Sequence, residues 1–184
     1  MVDNGVYVGP YTAQITGGGL VQIICDNYDT EVGLGLNWNA KSMTIDDPNF
    51  LANAKLTGSS TTGMSAMQNY EAAAWLAQQI MANLNNPTEV GDLQYALWAI
   101  FSPNAMNSSG FDAGANSFYT AAISGAYSTS QFSGLTFLTP DPLDASQEYI
   151  TAKGLPEPST LLLVGTGLLL LVGAARRRKR LALA

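Results

Sequence analysis

Apolar and polar positions alternate along the first fifty residues. Val6 and Val8 alternate before Pro10, and Tyr11–Thr16 and Leu20–Cys25 flank Gly17-Gly18-Gly19. A period of two predicts strands, and the glycine run supplies the positive φ of a tight hairpin. Val21, Ile23 and Cys25 share one face of their strand, so the cysteine is expected to point at the core. Strands are also predicted over Glu31–Trp38 and Lys41–Ile45. The period changes after Gly58-Ser59-Ser60-Thr61-Thr62-Gly63. Met67, Ala73, Ala74, Ala77, Ile80, Met81 and Leu84 then recur at helical spacing, predicting a helix over about 65–84 that Asn85-Asn86-Pro87 ends. Thr88 is a candidate N-cap for a second helix over about 89–101. On it Leu93, Ala96, Leu97 and Ile100 form one stripe, and Gln94, Trp98 and Phe101 another. A third helix at about 115–126 and strands at about 134–139 and 147–151 complete the pattern. Strands, helices, strands is an α+β order: an antiparallel sheet or sandwich with an inserted helical region over residues 1–152.

The C-terminus has a different texture. After a linker at 153–158, residues 159–175 read Ser-Thr-Leu-Leu-Leu-Val-Gly-Thr-Gly-Leu-Leu-Leu-Leu-Val-Gly-Ala-Ala, and 176–184 begin Arg176, Arg177, Arg178, Lys179, Arg180. The uncharged stretch from Pro158 to Ala175 would cover about 27 Å as a helix, near the short limit for crossing a bilayer. Leu161–Leu163 and Leu168–Leu171 leave no polar face, which argues against a core helix. One C-terminal transmembrane helix is therefore predicted. The basic run places the C-terminus in the cytoplasm and the preceding domain outside.

Composition narrows the chemistry. The 184 residues include no histidine and one cysteine. That excludes Ser-His-Asp and Cys-His catalysis, His-ligated zinc and an internal disulfide. Residues 1–155 carry three basic and thirteen acidic side chains, a net −10. Such a domain is a poor partner for nucleic acid. No cofactor or metal is expected. Asp26, Asn27, Asp29 and Glu31, with Asp46-Asp47, offer oxygen ligands for calcium. Their spacing is not that of an EF-hand, and solvated turn residues are the expectation. A polysaccharide hydrolase built on two of these carboxylates has residue type alone in its favour.

The order Pro156-Glu157-Pro158, apolar stretch and Arg cluster resembles the PEP-CTERM sorting signal of Gram-negative exopolysaccharide producers. The resemblance implies export, anchoring in the inner membrane, processing by an exosortase, and release to the cell surface or extracellular matrix. It also implies a leader peptide. Met1-Val2-Asp3-Asn4 shows none, and the expectation is that the leader was trimmed or the start assigned late.

Two further positions stand out. Taken singly, Cys25 ends an apolar strand and reads as a small core hydrophobe, and Gln94 reads as a solvated helix residue. In order, however, Val21-Gln22-Ile23-Ile24-Cys25-Asp26-Asn27, Tyr70-Glu71-Ala72-Ala73-Ala74-Trp75-Leu76 and Leu93-Gln94-Tyr95-Ala96-Leu97-Trp98 resemble the thioester (TQxA) domains of bacterial surface adhesins. The likeness runs from about Val6 to Ile150. Leu93 stands for the family's threonine, Leu97 for its isoleucine and Ile24 for an aromatic residue. The resemblance implies a bond between Cys25 Sγ and Gln94 Cδ, formed with loss of ammonia. Ile24, Tyr95 and Trp98 would keep water from it. It implies attachment to an amine-bearing surface protein or matrix polymer. One bond made once without turnover is not an enzyme's chemistry. The alternative is a non-covalent component of the exopolysaccharide matrix with a free buried cysteine.

Overall fold

A computed structural model describes residues 2–3, 5–33 and 35–152. The linker at 153–158, the predicted membrane helix at 159–175 and the basic tail at 176–184 lie outside them. Among the described residues no helix is long and apolar enough to cross a membrane.

The strands are β1 (Val2–Asp3), β2 (Val6–Tyr7), β3 (Tyr11–Gln14), β4 (Leu20–Cys25), β5 (Ala40–Met43), β6 (Leu135–Pro140) and β7 (Tyr149–Ala152). Helices α1 (Phe50–Asn53), α2 (Ala66–Ala82), α3 (Pro87–Phe101), α4 (Pro103–Met106) and α5 (Ala113–Ser124) lie between β5 and β6. β1 pairs with β2, and a five-stranded antiparallel sheet has the order β3-β4-β7-β6-β5. The fold is thus α+β with the helices inserted between two strands of one sheet. Helices, rather than a second large sheet, cover one face of it, so the described part is not a sandwich.

The local signals are specific. The β3–β4 hairpin closes with Ile15 and Gly19 hydrogen-bonded, and Gly17 at φ +76° occupies a conformation that side chains resist. Ser65 and Gln68 cap α2 reciprocally. At α3 the cap is Asn86, whose side chain accepts from the Glu89 N–H, and not the predicted Thr88. Pro87 explains the shift: its fixed φ and missing N–H suit the first helical position, so the helix starts earlier. Asp112 caps α5 through Gly114 and Ala115.

Strand alternation divides the sheet. Ile24 pairs with Ile150 and Ile150 with Phe137, and this face meets the helices. Phe137 packs edge-on against Phe50 at 4.9 Å and Tyr70 at 5.5 Å. The other face carries Ile23, Cys25 and Tyr149. Helix α3 packs between α2 and α5 and buries Leu93 through Phe101 without a break.

One predicted strand is absent. Glu31–Trp38 forms no ladder, and its described residues up to Asn37 are exposed. Gly33 and Gly35 weaken it, and Gly35 sits at φ +81°. The apolar alternation there belongs instead to a loop whose Trp38 lies over Tyr149, with ring centroids 5.4 Å apart.

Phe137 is fully buried where sheet meets helices. Phe137→Ala should cost about 3–5 kcal/mol. Urea unfolding should show a lower midpoint at an unchanged slope.

Candidate functional site

The β3–β4 ladder pairs Tyr11 with Ile23. Continued two residues further, that register would set Gly9 opposite Cys25. The ladder does not continue, because Pro10 has no N–H to give it. The gap is filled from α3. Gln94 Nε2 donates to the Cys25 carbonyl at 2.7 Å, and Gln94 Oε1 accepts from the Gly9 N–H at 3.2 Å. One donor and one acceptor fix which end of the amide is which. A side-chain amide thus takes the place of a backbone rung. Both Gln94 and Cys25 are fully buried, so neither amide end has water as a substitute partner.

The cysteine is held as tightly. Its thiol donates to the Asn27 carbonyl at 3.1 Å. Burial, then the neighbouring Asp26 carboxyl, pushes the Cys25 thiol well above its ordinary range, while the Asn27 backbone and the Trp98 indole act the other way. The thiol therefore stays protonated at neutral pH and is closed to external reagents. Trp98, beside the sulfur, packs edge-on against Tyr95 at 5.3 Å and at a tilt of 57° against Tyr28 at 5.3 Å. Ile24 is also buried, but strand alternation turns it to the helix-packed face, away from the cysteine side chain.

Gly9 leaves no room to spare. A Cβ there would lie 2.7 Å from Gln94 Oε1. The Gly9 N–H can approach the amide oxygen only because that carbon is missing. An N–H aimed at a carbonyl oxygen is also what stabilises negative charge if the carbonyl carbon is attacked. Sequence reading missed Gly9; its position just before Pro10, two residues out from a strand start, was the available signal.

Beside this site lies a second buried constellation. Asp26, expected in a solvated turn, is fully buried, and Asn27 nearly so. The strand alternation simply runs one residue past Cys25 and carries Asp26 onto the helix-packed face. Glu148 meets it there. Glu148 accepts from Tyr70 Oη at 2.6 Å, from the Lys55 N–H at 3.0 Å and from Thr139 Oγ1. Neither Asp26 oxygen has a hydrogen-bond partner. Burial and the Glu148 charge hold the Asp26 carboxyl well above the usual carboxylate range, with Lys55 pulling weakly the other way. The fold therefore favours a neutral, protonated Asp26 beside Glu148. Elsewhere Asp29 accepts from Asn104 Nδ2 at 2.8 Å. Among the described residues no three acidic or sulfur side chains gather as a metal site.

Residues 155–179 match the PEP-CTERM protein-sorting motif. The matched stretch contains Pro156, Glu157, Pro158 and the basic residues Arg176 to Lys179. It implies export, membrane anchoring before processing, and an exosortase-type partner. It covers the tail, not the folded domain. No curated protein and no solved structure matches the chain, so the likeness to thioester adhesin domains has no support from these comparisons.

Two outcomes follow from the geometry. Gly9→Ala should destabilise by about 1–3 kcal/mol, read as a fall in thermal midpoint, because the added carbon must push the Gln94 amide off its rung. For Asp26 the sign is set by its raised folded pKa. Its contribution to stability is complete below the unfolded value of about 3.9 and is lost as pH rises through the folded value. Asp26→Asn keeps a neutral side chain beside Glu148 and removes this loss. The variant's stability relative to the parent should therefore improve as pH is raised above about 4 in urea titrations.

Proposed function

We propose that this is an exported surface or matrix protein whose folded domain closes a thioester between Cys25 and Gln94 and uses it to attach to amines. The observation that carries the reading is the fixed Gln94 amide, with Oε1 on the Gly9 N–H and Nε2 on the Cys25 carbonyl. Positioning of this kind is what turns an unreactive pair into a reactive one. Sγ bonds to Cδ, the Cδ–Nε2 bond breaks, and the thiol proton leaves with the nitrogen as ammonia. The Gly9 N–H supports the carbonyl oxygen through the addition. Later, an amine nitrogen bonds to Cδ, the C–S bond breaks, and the amine's proton returns to sulfur. With no histidine in the chain to activate a hydroxyl, an amine is the better nucleophile.

The sorting motif supplies the setting. The Arg176–Arg180 run favours a cytoplasmic C-terminus with the folded domain outside until an exosortase-type enzyme processes the tail. Membrane lipid is the partner of residues 159–175 in this reading.

A second reading has its own observation. Gln94 is hydrogen-bonded at both ends as an intact amide, and Cys25 is a protonated thiol bonded to Asn27. That suits a non-covalent matrix component whose glutamine is a structural rung. Intact mass separates the two. The covalent reading expects a chain lighter than its sequence by one ammonia, uptake of methylamine at Gln94, and loss of both in Cys25→Ala. Full mass with one titratable thiol after denaturation would leave the second reading alone.

A further inference from the structure

The sheet face turned away from α2 is one wall of an open groove of about 1320 Å³. That exceeds the roughly 300–1,000 Å³ of a small-molecule pocket, so it suits part of a polymer. Tyr7, Tyr11, Tyr28, Trp38, Trp98 and Tyr149 line it. Three of the rings are contiguous, and Tyr28 and Trp98 form a second pair. Tyr11 meets Tyr149 edge-on at 6.4 Å, and Trp38 lies over Tyr149 at 5.4 Å with planes 32° apart. Tyr7 is 55% exposed, while Tyr11, Tyr28 and Trp38 are half-buried, so ring surface faces the groove's solvent. Connected aromatic surface of this kind is rarely left unused on a folded domain.

The polar part of the lining is neutral. Gln14, Asn37 and Asn39 contribute amides, and Thr12 and Ser42 contribute hydroxyls. Among the described lining residues Glu31 is the only charged side chain. A phosphate or uronate polymer finds no cation here and one repelling carboxylate. A polycation finds a single carboxylate. Ring faces are electron-rich and attract C–H groups that carry partial positive charge. Amides present a donor and an acceptor side by side, as a row of hydroxyls requires. C–H faces edged by hydroxyls describe a neutral sugar.

We propose that the groove binds a segment of neutral polysaccharide across Tyr7, Tyr11 and Trp38, with the buried Tyr149 ring supporting Tyr11 and Trp38 from beneath. The site does not depend on the covalent reading. It does adjoin it: Trp98 and Asn27 line the groove and also contact the cysteine sulfur. A bound polymer would lie directly beside position 25.

The full-length chain, held in a polyoxyethylene detergent to avoid sugar headgroups, is titrated with maltohexaose, cellohexaose and laminarihexaose. Tryptophan fluorescence and calorimetry report binding. Polygalacturonate and polylysine are run in parallel, and intact mass on each sample records whether the bond is present. The expected result is saturable, salt-insensitive binding of at least one hexaose, whatever the mass, weakened at least tenfold in Trp38→Ala and in Tyr7→Ala. Tyr7 is exposed, so its truncation keeps the test valid if Trp38→Ala fails to fold. No saturable binding of any hexaose, binding unchanged in a folded ring variant, or preference for either charged polymer would overturn the proposal.

Discussion

A single side-chain amide holds this domain together where its ladder stops. Pro10 ends the β3–β4 pairing, and the exposed ends of that break are the Gly9 N–H and the Cys25 carbonyl. Each is buried, and a buried orphan backbone group costs on the order of 1–3 kcal/mol. Gln94 satisfies both at once. That forces α3 to sit against the end of β4 at one height and one rotation. Because α3 is buried on all sides, packed between α2 and α5, its position in turn sets theirs. The amide therefore fixes a register between helices and sheet that apolar packing alone would leave free to slide.

The second tie works on the opposite face of the same strand. Glu148 gathers Tyr70 from α2, the Lys55 backbone and Thr139 from β6, with the Asp26 carboxyl beside it. Lys55 also reaches the carbonyls of Leu143 and Ser146, clamping the loop that presents Glu148. Two buried carboxyls facing one another would be ruinous if both ionised. The raised Asp26 pKa avoids that state by favouring a neutral Asp26. Cys25 lies between the two ties, its backbone in one and its neighbour Asp26 beside the other.

Much of this was legible in the chain. The hairpin glycines, the reach of α2 and α3 and the return of strands near position 135 follow from periodicity and turn residues. The order of strands and helices was enough for α+β. What failed did so for tertiary reasons. Glu31–Trp38 alternates like a strand, but every second position is a weak strand former, and the pattern serves a loop that lays Trp38 on Tyr149. Asp26 reads as a turn carboxylate until one knows that Glu148, far along the chain, supplies its partner. Gln94 reads as solvent-facing because helical stripes show which side is apolar, not whether the other side is also covered. The expected bond between positions 25 and 94 came from motif order, since no local pattern links a strand end to a helix interior; the contact the structure shows is between the Gln94 amide and the Cys25 carbonyl.

Burial that would protect a reactive bond would also hide it. Cys25 and Gln94 expose no surface, so an amine arriving from solvent cannot touch the reacting carbon without some displacement. The roof is not helix or sheet. Tyr28 belongs to the loop between β4 and β5, which is tied down by Asn104 on Asp29 and Gln147 on the Thr30 carbonyl and is followed by a run of exposed residues. Moving Tyr28 off Trp98 breaks one ring contact and loads those two side-chain bonds, whereas moving α3 would break the Gln94 rung and the packing of three helices. Local opening follows the cheaper route. Access to the sulfur therefore lies through the aromatic groove. Whatever occupies that groove stands where it can lift the roof, and covalent capture, if it is this domain's task, becomes conditional on a prior non-covalent fit.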